Sequence, residues 1–219
     1  MNDIQEKQSQ IKSTERVRNH GEVLTARREV EAMLDLVKNE SERIDSRFLE
    51  PACGDGNFLT AILERKLNTV SARYKNKKAD FEANLLLALS SIYGIDLLED
   101  NIQLAINRML DIACICYKEN LRAQPDDDFK KIMKYILDKN ILQGDSLNGI
   151  DKIIFTQWSL IGYKFKREEY SFSQLNQQAE IMNTPLFASF ISDKGEDVFI
   201  PQPIKEYPLT YYRNLGGIE

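Results

Sequence analysis

The sequence predicts an α/β fold built on a doubly wound, mostly parallel sheet, with a helical N-terminal segment and an irregular C-terminal tail. Two observations predict it. Short apolar runs that read as strands alternate with longer stretches of helical apolar periodicity. The first strand, at Phe48-Leu49, also runs through the tight turn Glu50-Pro51-Ala52-Cys53-Gly54-Asp55-Gly56 into an amphipathic helix opening at about Asn57. Two glycines one position apart let a backbone pass close to a ligand, and the free amides of a helix start would face it.

The elements follow in order. Residues 1–20 are polar and read as a flexible or helical leader. From Gly21-Glu22-Val23-Leu24-Thr25 the pattern tightens into a helix over Arg27 to Lys38, with Val30, Met33, Leu34 and Val37 at helical spacing and Thr25 as its N-cap. After the glycine turn, Phe58, Leu59, Ile62, Leu63 and Leu67 give one apolar helix face, and a second helix spans Ala79 to Ser90. Ser91-Ile92-Tyr93-Gly94-Ile95-Asp96 reads as a buried strand ending in a carboxylate, followed by a long helix from Glu99 to about Asn120. The turn Gln124-Pro125-Asp126-Asp127-Asp128 caps a helix over Phe129 to Lys139. Asn140 to Leu147 makes a third strand and polar turn, and Lys152 to Trp158 a fourth strand. A polar helix near Ser173 to Met182 and a proline-containing tail complete the chain. This organisation gives a leader over 1–20, a ligand-binding domain over 21–158 and an extension over 159–219. Tyr207, Tyr211 and Tyr212 mark that extension as packed against something.

Composition narrows the function classes. The 219 residues carry a net charge of −5, which argues against a chain that grips nucleic acid by bulk attraction. Three cysteines (Cys53, Cys114, Cys116) form no disulfide framework, and the single histidine, His20, makes a Cys/His zinc site untenable. No apolar run approaches the roughly 20 residues of a membrane span, and the N-terminus has no signal-peptide core, so a cytoplasmic protein is expected. The basic run Arg73, Lys75, Lys77 and Lys78 reads either as a solvated loop or as a nucleic-acid contact. Trp158 with Tyr163 and Phe165 reads as sheet packing or as a base-stacking surface.

In an open α/β sheet, ligands bind outside the carboxyl ends of the strands. If the first three strands are neighbours, Glu50 to Gly56, Asp96, and Asp145-Ser146 meet in one crevice. A carboxylate at Asp96 is placed to accept ribose hydroxyls, and Asp145-Ser146 to accept an adenine amino hydrogen. No lysine follows the glycines as a P-loop requires, and the third glycine of the dinucleotide fingerprint is missing. An adenosine with a small charged tail fits this pattern. Each residue also has a plainer reading: Asp96, Asp145 and Thr25 as caps, and Cys53 as a small buried residue.

The run Glu50-Pro51-Ala52-Cys53-Gly54-Asp55-Gly56-Asn57-Phe58-Leu59 resembles the first motif of S-adenosylmethionine-dependent DNA adenine methyltransferases of restriction–modification type. Tyr93-Gly94-Ile95-Asp96 resembles the second motif, Gly144-Asp145-Ser146-Leu147 the third, and Gly21 to Thr25 the upstream segment, with Leu24 and Ala26 departing from it. The four occur in family order over roughly residues 16–158. The resemblance implies a Rossmann-like class I methyltransferase sheet. It also implies an S-adenosylmethionine site formed by Thr25, Glu50, Pro51, Cys53, Gly54, Gly56, Phe58, Asp96, Leu97, Asp145 and Ser146.

The family's acceptor motif, [N/D]-P-P-[Y/F], occurs nowhere in the 219 residues. That motif would hold a base extruded from the duplex. Asp151 to Trp158 and Asn183-Thr184-Pro185-Leu186-Phe187 do not replace it. No catalytic residue is therefore assigned. The expectation is a cofactor-binding chain incomplete for methylation alone. It would work with a second chain that carries the acceptor motif, reaching DNA through that assembly, or serve as a non-catalytic interaction subunit.

Overall fold

A computed structural model describes residues 25–173 and 201–217. The expected leader, Gly21 to Leu24 and nearly all of the helix expected from Ser173 to Met182 lie outside these residues. Helices α1 (Arg27–Leu36) and α2 (Lys38–Ser41) precede strand β1 (Phe48–Glu50). Then come α3 (Asn57–Tyr74), α4 (Lys78–Ser90), β2 (Ile92–Asp96), α5 (Glu99–Leu121), α6 (Asp127–Asn140) and β3 (Ile141–Gln143). A 3₁₀ turn at Ile150–Lys152 leads into β4 (Ile154–Ile161), β5 (Lys164–Ser171) and β6 (Lys205–Tyr211), with a last 3₁₀ turn at Tyr212–Asn214.

The helices form where the apolar spacing places them. Val30 and Leu34 of α1 are buried, but Met33 and Val37 are exposed, so the inward stripe is narrower than expected. Leu59, Ile62, Leu63 and Leu67 of α3 and Ile102, Ala105, Ile106 and Met109 of α5 fill the core. Asp126 caps α6, its Oδ1 accepting from Phe129 N at 2.8 Å. Thr25 does not cap α1: the N-cap is Ala26, with no side-chain bond.

The expected doubly wound sheet is not what forms. β1, β2 and β3 make a three-stranded parallel sheet in the order β1-β2-β3, with Glu50 opposite Gly94 and Asp96 opposite Gln143. A separate three-stranded antiparallel sheet holds β4, β5 and β6. The fourth expected strand therefore belongs to a different sheet. Its connection explains why: only Gly162 and Tyr163 separate β4 from β5, with Gly162 at φ +62°. A two-residue turn makes an antiparallel hairpin, whereas a parallel crossover needs a dozen residues or more.

The antiparallel sheet also occupies a face that a doubly wound fold covers with helices. On one side of β2, a Cβ at Gly94 would meet Leu59 Cδ1 of α3 at 2.8 Å. On the other, Tyr93 stacks edge-on against Phe155 of β4 and donates its hydroxyl to the carbonyl of Thr156 at 3.0 Å.

Nor are the described residues of the C-terminal part an irregular tail. Residues 164–171 and 205–211 are strands, with Pro208 on the edge strand β6, where a missing amide is tolerated. Buried Glu82 of α4 anchors this region, accepting from the hydroxyls of Tyr117 and Tyr212 and from the Arg213 guanidinium. Tyr212 is buried, Tyr207 half-buried against Arg167, and Tyr211 exposed. No described helix is long and apolar enough to cross a membrane.

Candidate functional site

The three parallel strands end side by side, and their carboxyl ends open into a cavity of about 440 Å³. The turn between β1 and α3 forms one wall. It closes through Gly56 N donating to the Cys53 carbonyl at 2.9 Å, and it docks on β2 through Cys53 N donating to the Ile95 carbonyl at 2.9 Å. Gly56 does not line the cavity. It is buried with φ +86°, and a Cβ there would stand 2.9 Å from Ala105 Cβ. Its glycine is needed so that α5 can pack against the turn.

Asp96 ties this wall together. Its Oδ2 accepts from Gly54 N at 2.9 Å, and its Oδ1 accepts from Leu98 N at 2.9 Å and Asn101 Nδ2 at 3.1 Å. A carboxylate offers about four acceptor positions, so these three bonds leave one for a ligand hydroxyl. Asp145, after β3, is arranged similarly. Its Oδ1 accepts from Leu147 N and Asn148 N, each at 2.9 Å, and its Oδ2 from Asn148 Nδ2 at 3.2 Å. Those amide bonds hold its carboxyl below the usual range. Both aspartates thus brace their own loops, the plainer role the sequence offered, and each keeps spare acceptor capacity toward the cavity.

The other expected residues divide by position. Glu50, Pro51, Cys53, Gly54, Phe58, Leu97, Ser146 and Thr25 all line the cavity. Thr25 lies at its mouth, where its carbonyl accepts from Asn57 Nδ2 at 3.3 Å. Burial pushes the Glu50 carboxyl up, partly offset by a backbone hydrogen bond from Ala52. Burial, with the charges of Asp96 and Glu50 beside it, pushes the Cys53 thiol far up. A protonated, buried thiol is a packing residue, not a nucleophile.

No family model, curated protein or solved structure matches this chain. The site is therefore judged on its own chemistry. Among the described residues four carboxylates line it, from Glu50, Asp55, Asp96 and Asp145, and no lysine, arginine or histidine does. Three exposed apolar side chains, Met33, Leu97 and Leu147, join the lining, with Leu147 85% exposed. An acidic floor with an apolar rim suits a ligand that carries positive charge and hydrogen-bond donors together with a flat apolar body. It repels phosphates. Among the described residues, no three His, Cys, Asp or Glu side chains are gathered as metal ligands would be.

Several contributors were not legible in the sequence. Asn101, buried in the first turn of α5, orients Asp96. Arg108 of α5 clamps the turn, donating to the Asp55 carbonyl at 2.7 Å and to Asn57 Oδ1 at 2.8 Å. Its Nη1 also lies 3.1 Å from the buried Asp55 Oδ1, an ion pair without hydrogen-bond alignment. The spacing of Asn101 from Asp96 could have flagged the first. Nothing local flags Arg108, which acts 51 to 53 residues away from its partners.

Proposed function

We propose that this chain binds S-adenosylmethionine in the cavity at the carboxyl ends of β1, β2 and β3. The observation that carries the reading is the charge of the lining: among the described residues, four carboxylates and no cationic side chain. S-adenosylmethionine brings a sulfonium, an ammonium and several hydroxyl and amino donors, all of which favour acceptors and negative charge. In this reading the spare acceptor position of Asp96 takes a ribose hydroxyl and that of Asp145 an adenine amino hydrogen. Leu97 and Leu147 offer apolar surface to the ring. Glu50 faces the charged end.

The chain resembles DNA adenine methyltransferases in its first three motifs, and we infer that it belongs to such a system as a cofactor-binding partner. It lacks the acceptor tetrapeptide. Among the described residues, β1 pairs with β2 alone, so the crevice has no strand on its far side. A second chain supplying that strand and the acceptor residues would complete it. A non-catalytic interaction subunit is the reading that remains if no such chain exists.

Equilibrium dialysis with labelled S-adenosylmethionine tests the site. Asp96→Ala is expected to weaken binding by about 1.5–3 kcal/mol, the loss of a hydrogen bond to a charged group. Unchanged affinity would move the ribose elsewhere. Incubation of the chain alone with DNA and labelled cofactor is expected to give no methyl transfer, and robust transfer would contradict the requirement for a second chain.

A further inference from the structure

A second cavity lies at the opposite end of the parallel sheet, where Arg47 enters β1 and Ser91 enters β2. Its volume is about 470 Å³. Among the described residues Arg43, Arg47 and Arg73 line it against a single carboxylate, Asp45. The basic run that the sequence left open thus has one member, Arg73, placed over a cavity, with Lys75 and Lys77 following it on the α3–α4 connection.

The arginines are presented on a fixed frame. Lys66 of α3 is wholly buried and donates to the carbonyls of Arg43 and Ile44, each at 3.1 Å, and to that of Ser46. Ser91 Oγ lies 2.8 Å from the same ammonium, sharing its three hydrogens with the carbonyls, and Ser91 Oγ donates in turn to the Ile44 carbonyl at 3.1 Å. The loop carrying Arg43 and Arg47 is thereby held to the start of β2. Arg47 reaches across to the Trp158 carbonyl of β4 at 3.5 Å. Arg43 is shared with Glu40 at 3.6 Å and Asp45 at 3.3 Å. The Arg73 guanidinium makes no hydrogen bond or ion pair with any described residue.

Guanidinium groups converging on one cavity match phosphate oxygens in geometry as well as charge. The cavity is much larger than a phosphate alone, and Tyr74, Leu87 and Leu160 give it apolar walls, so it has room for an organic body beside the anion. We propose that this cavity binds the phosphate of a nucleotide-sized ligand, either a free nucleotide or one unit of a single nucleic-acid strand. Arg73 supplies the uncommitted charge and Arg47 the held one. Asp45 is the counter-charge the ligand must displace from Arg43.

The test titrates the whole chain with thymidine 5′-monophosphate, with thymidine, and with a single-stranded thymidine oligonucleotide. Binding is followed by calorimetry and by the emission of Trp158, the one tryptophan in the chain, which lines this cavity. Saturable binding of the monophosphate or the oligonucleotide, but not of thymidine, is expected, the better binder naming the source. Arg73→Ala, which removes no side-chain hydrogen bond or ion pair among the described residues, should weaken it about tenfold or more. Asp45→Asn should tighten it about threefold. Failure of both phosphate ligands to bind at millimolar concentration, or binding unchanged in Arg73→Ala, would overturn the proposal. S-adenosylmethionine affinity should be the same in Arg73→Ala and the wild type, which separates this cavity from the acidic one.

Discussion

The two ends of the parallel sheet carry opposite chemistry. At the carboxyl ends, four carboxylates and no cationic side chain line the cavity among the described residues. At the amino ends, three arginines face a cavity with one carboxylate. The backbone between them is the same three strands, so the difference lies in side chains delivered by loops. Two of the four carboxylates are braced from the backbone: Asp96 by Gly54 and Leu98, and Asp145 by Leu147 and Asn148. The arginine end is braced by a buried lysine instead. A chain with net charge −5 can therefore present a local cationic site, provided that the charges are gathered by the fold.

The sharpest way to break this contrast is at Lys66. Lys66→Met leaves the loop carbonyls of Arg43 and Ser46 without their donor and is expected to cost about 2–4 kcal/mol of stability, read from denaturant unfolding. Burial holds this amine down to about 7, whereas the unfolded chain keeps its proton to about 10.5. Between those values the unfolded state binds more protons. Stability from this residue therefore rises as the pH is raised from about 7 toward 10.5, and falls as it is lowered. Lys66→Met should remove that slope, and a difference curve flat across the window would contradict the burial argument.

On the acidic side, Gly56→Ala places a Cβ against Ala105 at a backbone angle that side chains avoid. A loss of about 1–3 kcal/mol is expected in thermal unfolding, together with weakened cofactor binding as the turn shifts. A wild-type melting curve would mean that α5 can move away at no cost. The smallest effect belongs to Asp145→Asn. Because this carboxylate sits at the surface, the substitution should weaken S-adenosylmethionine binding only about threefold, against the larger loss at Asp96. Equal losses at the two positions would rule out unequal contributions from the two loops.

The sequence made the helices and the acidic cavity legible because both are local. The spacing of Leu59, Ile62, Leu63 and Leu67 sets one helix face, and the Asp126 cap starts another. The glycine turn, Asp96 and Asp145 each follow a short apolar strand. Parallel pairing of those strands then brings them to one cavity. In sequence Gly56 fits a turn that clears a ligand, but it clears α5, because a glycine looks the same whether a ligand or a helix passes it.

The fate of β4 was not legible. Its apolar run is compatible with either sheet, and the deciding feature is the Gly162-Tyr163 turn that pairs it with β5. The arginine cavity was equally hidden, since Arg43 and Arg47 lie about 30 residues before Arg73 and meet it only when β1 and α3 pack together.

Calorimetric titration of the wild-type chain with S-adenosylmethionine tests the central claim most directly. A single saturable transition at one ligand per chain, retained in Arg73→Ala and weakened in Asp96→Ala, is the expected result. No heat at millimolar ligand, or a transition lost in Arg73→Ala but kept in Asp96→Ala, would contradict the assignment of the cofactor to the acidic cavity.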